Sequence, residues 1–495
     1  MWPFKSQDKP VAKRTFDAAR QTRLVASWAA VTRSINTDLK DGIDAVRARA
    51  RDLAQNEPMI KKYKSLVAAN VIGSTGIVLQ ARVADGDKQD KLANNAIEAA
   101  WSDWSRVGNC EISWRMSMPD LERAIIKAVA IDGEALIYEH MGSVNDYGYA
   151  LQLIDVSRLA TTLNRDRITD SKGKVLNNAI YMGVEVDEYG KPLNYHIYDD
   201  AVGADLKNRT VRVYPAKNII HLFLADSPEQ VRGVSWLHAA MTRIFHLKKY
   251  QEWAIIAAGV GASKMGFFTS PEGDGSAMAD DIDATTGELY QEAAGGQFGI
   301  LPEGWGFESF NPDYPHAMFA EFVKAAKRDI SSGLNVSYHS LANDLEGVNF
   351  SSIRSGTLEE REEWKVIQDW FIGSFMERVY RNWISNAFLN NKIVSVTGTP
   401  LPAAKLNKFM AHDFLARRWA WVDPLKDIQA SIEAIDNGLS DPYQIAAQQG
   451  LDAEDVLDAI KRYQDLIAEK GIELNVYKKN PKLQDVNPIN DVANT

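Results

Sequence analysis

Apolar residues recur every three or four positions through two long stretches of the chain, which a short polar segment separates. In the first stretch, from Ala317 to Gly333, the apolar positions are Phe319, Phe322, Val323, Ala326 and Ile330. Lys324, Lys327 and Arg328 lie between them, so the pattern predicts a helix with one apolar side and one basic side. The second stretch predicts a longer helix, with apolar positions at Trp364, Ile367, Phe371, Phe375, Val379 and Trp383. Gly373 weakens its middle slightly.

The segment from Leu341 to Phe350 is rich in residues that interrupt regular structure, and its composition predicts a mobile polar loop with little apolar area to anchor it. Thr357 to Glu360 fits a capping box at the start of the following helix, and Ser351 or Ser352 fits an earlier start. A helix, a loop and a second helix form a mechanical arrangement. It offers no obvious place for covalent chemistry.

The first 55 residues are helical in pattern and rich in cations, with Arg20, Arg23, Arg33, Arg47, Arg49 and Arg51. We interpret them as a solvated helical face, and the alternative is a surface that meets an acidic partner or a neighbouring subunit. Further helices are predicted at Leu92 to Arg106, Pro119 to Ala130, Ser235 to about Ala258, and Ala453 to Lys470. In the second of these, Asp120 and Glu122 suit the positive end of the helix dipole.

Between Glu134 and Phe223 the period changes to that of short strands. They are predicted at Ala135 to Tyr138, Leu151 to Ile154, Ile180 to Val186, Leu193 to Tyr198, and Ile219 to Phe223. Turn residues separate them, which indicates a small, largely antiparallel β region. We interpret the acids Asp155, Glu185, Asp187 and Glu188 as solvated rather than as a metal or acid–base site. His221 is interpreted as buried and hydrogen-bonded rather than as a ligand.

The composition is that of an ordinary globular protein, with 45% hydrophobic and 25% charged residues among 495. This length indicates several structural regions. The formal net charge of −10 argues against tight non-specific DNA binding by the chain as a whole. A single cysteine, Cys110, excludes an intrachain disulfide. Without a signal-like segment or an apolar run that could span a bilayer, we expect a soluble protein, intracellular where it is made.

No motif for catalysis, cofactor binding or metal binding is complete. Gly73 to Gly76 and Gly259 to Lys264 do not match a phosphate-binding loop, because each follows a helix pattern instead of a strand. The first is followed by a strand and no lysine, and the second lacks the full spacing. We therefore predict no cofactor and no enzymatic activity. Two alternatives stay open: a DNA-acting enzyme such as a nuclease or packaging ATPase, and an oligomeric scaffold without a DNA role. The 13 tryptophans would suit the contacts within such a scaffold. A scaffold without a DNA role has no need of the basic stripe formed by Lys324, Lys327 and Arg328.

Several blocks resemble the portal proteins of lambda-type tailed bacteriophages, in the same order along the chain. They are Arg47 to Leu53, Asn70 to Gln80, Gly183 to Pro192, Gln230 to Leu237, Tyr338 to Leu341, Asn349 to Arg354, and Trp419 to Pro424. The resemblance extends from about Arg47 to Gly471. It implies an α+β, mainly helical portal subunit with an α/β wing, a helical stem hairpin, a clip, a long helix after a tunnel loop, and a helical crown.

This resemblance implies a division of the chain into nine regions. They are an N-terminal cation-rich helical arm (1–55), the wing with its small antiparallel β region (56–231), the first stem helix (232–268), the clip (269–312), the second stem helix (313–340), the tunnel loop (341–350), the long wing or crown helix with the segment after it (351–424), the helical crown (425–474) and a mobile tail (475–495). A disordered surface insertion is the alternative for the clip.

The function implied by the resemblance is a ring-shaped DNA conduit at one vertex of a phage capsid. The ring would be dodecameric, and double-stranded DNA would pass through it without sequence-specific binding during packaging and ejection. The implied partners are the large terminase subunit, the major capsid and scaffolding proteins, and the head-completion or tail proteins. The implied location is the virion, after synthesis in the host bacterial cytoplasm, with no membrane association.

Three sets of site residues follow from the resemblance and the local composition. The DNA-facing residues of the tunnel loop are Asn343, Asp344, Glu346, Gly347 and Asn349. The candidates for the stem lumen are Lys324, Lys327 and Arg328. The candidates for motor or neck docking in the clip are Asp280, Asp281, Asp283 and Glu288. Relatives tend to carry a shorter turn, centred on an aspartate, in the tunnel loop. This loop departs from that pattern, so the resemblance does not give the distance to which it extends into the channel.

Overall fold

The computed structural model describes most of the chain, in the ranges 23, 31–86, 88–199, 210–262, 266–269, 281–282, 289–290, 306–309, 318–346, 350–419, 424–449, 451 and 453–471. It forms two compact units. The first consists of the residues up to Ser65, Ile125–His140 and Leu151–Glu346. The second consists of Leu66–Ala124, Met141–Ala150 and the residues from Gly347 onward.

Helices dominate the described residues. They are α1 (Ile35–Asn56), α2 (Pro58–Val71), α3 (Lys91–Trp104), α4 (Met118–Asp132), α5 (Met241–Ala262), α6 (Phe319–Gly333), α7 (Tyr338–Ala342), α8 (Phe350–Phe371), α9 (Glu377–Leu389), α10 (Leu406–Phe409), α11 (Pro424–Asp436), α12 (Pro442–Gln448) and α13 (Ala453–Glu469). No helix in these ranges is both long enough and apolar enough to cross a membrane.

The strands are short. They are β1 (Val78–Ala81), β2 (Ala84–Asp85), β3 (Lys88–Gln89), β4 (Ala135–Met141), β5 (Tyr149–Ile154), β6 (Ile168–Thr169), β7 (Val175–Asn177), β8 (Ala179–Tyr181), β9 (Val184–Val186), β10 (Pro192–Tyr198), β11 (Val211–Pro215), β12 (Ile219–Leu222), β13 (Gly266–Thr269), β14 (Asp281–Ile282), β15 (Leu289–Tyr290), β16 (Gly306–Ser309) and β17 (His412–Leu415). The α+β, mainly helical fold class is confirmed.

In the first unit, a four-stranded sheet with the order β11-β10-β9-β8 lies beside a three-stranded sheet with the order β12-β4-β5. Alternation along β10 turns Tyr195 and Ile197 into the core that the two sheets share. The prediction of a single strand from Ile180 to Val186 is wrong. Met182 and Gly183, both at positive φ, form a two-residue turn that folds this segment into the hairpin β8-β9.

A buried carboxylate, that of Glu134, ties four segments of the first unit together. Its side chain accepts hydrogen bonds from Arg232 (2.6 Å), Arg47 (2.7 Å), His221 (2.9 Å) and the backbone N–H of Gly233 (3.0 Å). Burial opposes ionisation, but the neighbouring cations outweigh it and hold the pKa of Glu134 well below its usual value. His221 is thus hydrogen-bonded and buried, as the sequence pattern indicated.

The arginines of α1 are not a uniformly solvated face, so that interpretation is wrong for two of them. Arg47 is 4% exposed and contacts Glu134. Arg51 donates hydrogen bonds to both Asp132 and Asp155. Sequence alone treats these arginines as solvated because their acidic partners lie about 80 to 100 positions away along the chain.

The second unit is centred on buried aromatic side chains from α3 and α9. The rings of Trp101 and Trp383 meet edge to face at 4.9 Å, and Trp104 lies 5.0 Å from Trp101. The indole of Trp104 donates a hydrogen bond to the backbone carbonyl of Tyr149. These three tryptophans are therefore core residues of the second unit.

Helix α8 begins at Phe350, seven residues before the capping box that the sequence offered, so Thr357 lies inside the helix. A π-helical turn over Ile372–Met376 joins α8 to α9, and Gly373 lies within it.

Glu122 of α4 is also placed differently from the prediction. Its side chain is buried and accepts a hydrogen bond from the N–H of Ile77 (2.9 Å), and burial raises its pKa to about 8.

Candidate nucleic-acid interface

Helices α5 and α6 form an antiparallel pair in the first unit. Tyr250 of α5 stacks on Phe319 (5.5 Å between ring centroids) and meets Phe322 edge to face (5.2 Å). Towards the other end of the pair, Arg243 forms an ion pair with Asp329. Both helices lie inside the ranges expected for the two stem helices, 232–268 and 313–340.

Helix α5 carries large apolar side chains that α6 does not cover. Phe245, Trp253, Ile255 and Ile256 are exposed in the single copy, Trp253 with 66% and Ile255 with 73% of its surface. Helices that are apolar on several sides are normally covered on several sides. We call these four residues the α5 patch; they lie on more than one side of α5, because positions two apart, such as Trp253 and Ile255, are separated by about 160° around the helix.

The three cations of α6 interact with other residues of the same subunit in different ways. The ammonium of Lys324 lies 3.5 Å from the carboxylate of Asp344. The guanidinium of Arg328 lies over the ring of Tyr338, 5.6 Å from its centroid. Burial raises the pKa of Glu57, and the charges of Lys248 and Lys327 oppose that rise. Lys324 and Arg328 thus have contact partners in the single copy, whereas Lys327 acts on Glu57 only through its charge.

Helix α7 carries the chain from α6 into the polar loop. The side chain of Ser337 caps it by accepting a hydrogen bond from the N–H of Ser340 (3.2 Å). Asn343 ends it in the left-handed conformation (φ 52°), which asparagine adopts more readily than most residues. A capped, single-turn helix followed by a left-handed residue sets the direction in which residues 344–346 continue from α7.

Asp344 anchors the start of the loop. Its carboxylate accepts a hydrogen bond from the hydroxyl of Tyr338 (2.5 Å) and another from the N–H of Glu346 (3.0 Å). The ring of His339 lies 2.7 Å from its backbone carbonyl oxygen. The hydrogen bonds from Tyr338 and from the N–H of Glu346 lower the pKa of Asp344 to about 2, with a further contribution from Lys324. Its charge is therefore engaged inside the subunit.

The side chains on either side of Asp344 point outward. Asn343, Leu345 and Glu346 are exposed, Leu345 with 64% of its surface. Leu345 is exposed, which agrees with the prediction that little apolar surface holds the loop in place. The polar contacts of Asp344 were not foreseen, and they fix the base from which Asn343 and Glu346 are displayed. Gly347 and Asn349, the other predicted DNA-facing residues, lie outside the described residues.

A model of the lambda family of phage portal proteins matches residues 21–368. The chain belongs to this family. The probable portal protein of Halomonas phage phiHAP-1 is 34% identical over 472 residues, which cover 92% of this chain and 87% of that protein. Portal protein B of Escherichia phage lambda is 19% identical over 461 residues, covering 87% of this chain and 85% of that protein. The resemblance seen in the sequence blocks is confirmed.

Solved structures similar to this portal-family chain include necks of gene transfer agent particles. The neck of an empty particle, computed with C6 symmetry, has a TM-score of 0.44 at 14% identity, covering 86% of this chain and 97% of that one. The neck of a native particle, computed with C12 symmetry, has a TM-score of 0.44 at 13% identity, covering 87% and 98%.

In and next to residues 269–312, which the sequence predicts as the clip, the structure describes only short strand pairs. Gly266–Thr269 pairs with Gly306–Ser309, and Asp281–Ile282 pairs with Leu289–Tyr290, both antiparallel. Asp281 is thus in a strand, whereas the other docking candidates, Asp280, Asp283 and Glu288, lie outside the described residues. The assignment of all four to docking stays a prediction.

Sequence reasoning missed the residues that hold the loop of this portal-family chain. In the sequence, Tyr338 and His339 stand out only as part of a family block, because nothing local shows that they reach Asp344. The spacing of five or six positions across a helix end is the signal that was available. Among the described residues, no group of three or more His, Cys, Asp or Glu side chains is arranged to hold a metal ion.

Proposed function

We propose that this chain is the subunit of a dodecameric ring at one vertex of a phage capsid, through which double-stranded DNA is packaged and later ejected. In this proposal α5 and α6 are the stem helices and residues 341–350 are the tunnel loop that faces DNA. The observation that carries it is the anchoring of Asp344 by Tyr338 and by Lys324 of α6. The loop is thereby joined to the stem helix before it and presents Asn343 and Glu346 from a fixed base.

The chemistry of the loop suits contact without tight binding. Glu346 repels phosphate, and the amides of Asn343 and Asn349 offer only uncharged hydrogen bonds. Lys324 and Arg328 have partners within the subunit, which reduces their tendency to bind DNA phosphates. A conduit built in this way guides and retains DNA by shape, and the net charge of −10 favours sliding over adhesion.

The α5 patch supports assembly into a ring. Neighbouring copies that pack on both sides of α5 would remove Trp253, Ile255 and Ile256 from water, at about 25 cal/mol for each Å² of apolar surface covered. A contact in which one surface meets a different surface on the next copy closes a ring when the rotation between copies is a whole fraction of a full turn.

The proposed partners are those of a portal. We place the docking of the large terminase subunit, and later of head-completion or tail proteins, at the clip, residues 269–312. We place contacts with the major capsid and scaffolding proteins on the outside of the ring. The role is structural and not enzymatic, and the protein resides in the virion after synthesis in the host cytoplasm.

Electron microscopy and mass measurement of the purified protein test the proposal. Negative-stain electron microscopy should show a ring with an axial hole, and native mass spectrometry should give the mass of the closed assembly. A chain that stays monomeric at high concentration would refute the ring. ATP hydrolysis that copurifies with the ring through successive purification steps would favour the alternative of a DNA-packaging enzyme.

A further inference from the structure

Two arginines contact Trp419 in the second unit. The guanidinium groups of Arg361 (from α8) and Arg417 both lie on the indole of Trp419, 5.7 and 5.8 Å from the ring centroid. The indole N–H donates a hydrogen bond to the side-chain oxygen of Asn70 (3.0 Å), and Arg417 donates to the same oxygen (3.1 Å). We call this half-buried site the Trp419 recess and define it by Arg361, Arg417 and Trp419.

The charges in the recess are only partly balanced within the subunit. Burial lowers the pKa of Arg361, the neighbouring charge of Arg417 lowers it further, and Asp427 opposes both effects. Asp427 is also engaged by Arg354, at 3.1 Å. The Nε atom of Arg361 is buried and has no hydrogen-bond partner in the described part of the chain. Planar guanidinium groups close to each other suit an anion with two oxygens, such as a carboxylate or a phosphate.

The opposite side of the same helix carries acids. Successive residues of an α-helix are rotated by about 100°, so positions two before and two after Arg361 lie about 160° away from it. These positions are Glu359 and Glu363, and both are exposed. Helix α8 therefore presents cations on one side and carboxylates on the other.

We propose that the Trp419 recess binds a carboxylate of a second copy of this chain, contributed by Glu359 or Glu363 on α8 of that copy. The inference rests on the proposed ring, because contacts between the copies of a ring join unlike faces. Charge complementarity favours this occupant over DNA phosphate. Each copy has a net charge of −10, so adjacent copies repel each other unless local cations meet acids where they touch.

The test uses two full-length charge-reversal variants, Arg361→Glu and the double variant Glu359→Lys/Glu363→Lys. Each alone should lose rings at physiological salt in native mass spectrometry and negative-stain images, because like charges would meet at every contact between copies. Mixed in equal amounts, the two should restore rings that contain both chains in alternation, since the altered recess of one then meets the altered helix face of the other. Circular dichroism melting of the unassembled variants checks that each is folded.

Three results would overturn the inference. Rings formed by Arg361→Glu alone, with wild-type abundance and salt resistance, would show that the recess is not between copies. Loss of rings in both variants without rescue in the mixture would show that these glutamates are not its partners. Normal rings that fail to retain packaged DNA would assign the recess to phosphate. A wild-type chain without rings would refute the proposed function and this inference together, whereas the first three results refute this inference alone.

Discussion

The hydroxyl of Tyr338 donates a 2.5 Å hydrogen bond to the carboxylate of Asp344, six residues further along and beyond the end of the single-turn helix α7. Lys324 approaches the same carboxylate from α6, at 3.5 Å. The loop that we propose to face DNA is thus connected at its base to the helix that precedes it. Burial, followed by the contact with Asp344, raises the pKa of Tyr338 to about 12, so its proton stays in the bond at any physiological pH.

Replacing Asp344 by Asn should release the base of the loop without preventing ring assembly. The amide is uncharged, so it loses the attraction to Lys324 and accepts a weaker hydrogen bond from Tyr338. We expect the amide hydrogens of residues 343–346 to exchange several-fold faster with solvent, as measured by hydrogen–deuterium exchange and mass spectrometry. Tyr338→Phe is the matched control, because it removes the same hydrogen bond from the other side and should accelerate the same amides.

The same contact should withstand mild acid. The pKa of Asp344 is lowered to about 2 in the folded chain, so the stability that it contributes is present above the ordinary aspartate pKa and is lost only as the pH falls through about 2. Amide exchange in the loop, corrected for the intrinsic pH dependence of exchange, should therefore be unchanged between pH 7 and pH 5. A marked loss of protection by pH 5 would contradict this placement of the carboxylate.

Replacing the exposed Trp253 should affect assembly, whereas replacing the buried Trp383 should affect the stability of the fold. Trp253→Ser changes an exposed side chain, so it should leave the melting temperature of the unassembled subunit within a few degrees of wild type and reduce ring formation. Trp383→Ala opens a cavity in the aromatic core and should destabilise the second unit by about 3–5 kcal/mol. Thermal melts combined with native mass spectrometry separate the two. A Trp253 variant that assembles normally would remove the α5 patch from the contact between copies.

Elements that depend on local periodicity could be predicted closely from the sequence. Helix α13 was expected at residues 453–470 and is observed at Ala453–Glu469, and α3 differs from its prediction by one or two residues at each end. The hairpin β8-β9 was missed because its turn is Met182-Gly183, whereas the turns that sequence patterns identify best begin with Asn or Asp. Local sequence patterns thus located the helices and strands, but not every turn that divides them.

Contacts between distant segments could not be predicted. Arg232 and Glu134 are 98 positions apart, and a pattern of apolar and polar residues gives no indication that a buried carboxylate brings them together. For the candidate site, composition identified the polar loop, and family resemblance identified its proposed role. The anchoring of Asp344 and the two arginines on Trp419 depend on where the helices pack, which only the folded chain shows.

Replacing Glu122 by Gln should remove a pH dependence of stability. The pKa of Glu122 is raised to about 8, so the folded chain holds a proton that the unfolded chain loses near pH 4.5. Stability from this group is complete below pH 4.5 and falls as the pH rises to about 8, by about 1.4 kcal/mol for each pKa unit at most. Gln retains an acceptor for the N–H of Ile77 and does not ionise. The variant should therefore melt at a higher temperature than wild type at pH 9 and at a similar one at pH 5.

The control for Glu122 is Asp120→Asn on the same turn of α4. Hydrogen bonds from Ser117 and Arg123 lower the pKa of Asp120, so its contribution is present above the ordinary aspartate pKa and is lost as the pH falls below it. This variant should lose stability at neutral pH relative to wild type and approach wild type in acid, the opposite trend. Equal pH profiles for wild type and Glu122→Gln would show that Glu122 is ionised in the folded chain.

Replacing residues Asn343 to Gly347 by a Gly/Ser linker of equal length should separate assembly from DNA handling. The helices on both sides are unchanged and the α5 patch is intact, so rings should form in wild-type amounts. The linker removes the carboxylate that Tyr338 and Lys324 hold, along with the outward Glu346, so the loop should no longer guide or retain DNA. Phage complementation should then give particles that fill incompletely or lose their genome, measured as DNase-protected DNA per particle. Glu346→Gln alone is the control for the charge. If the linker variant formed no rings, the segment would be structural, and if its particles filled and held DNA normally, the loop would not be the DNA-facing element.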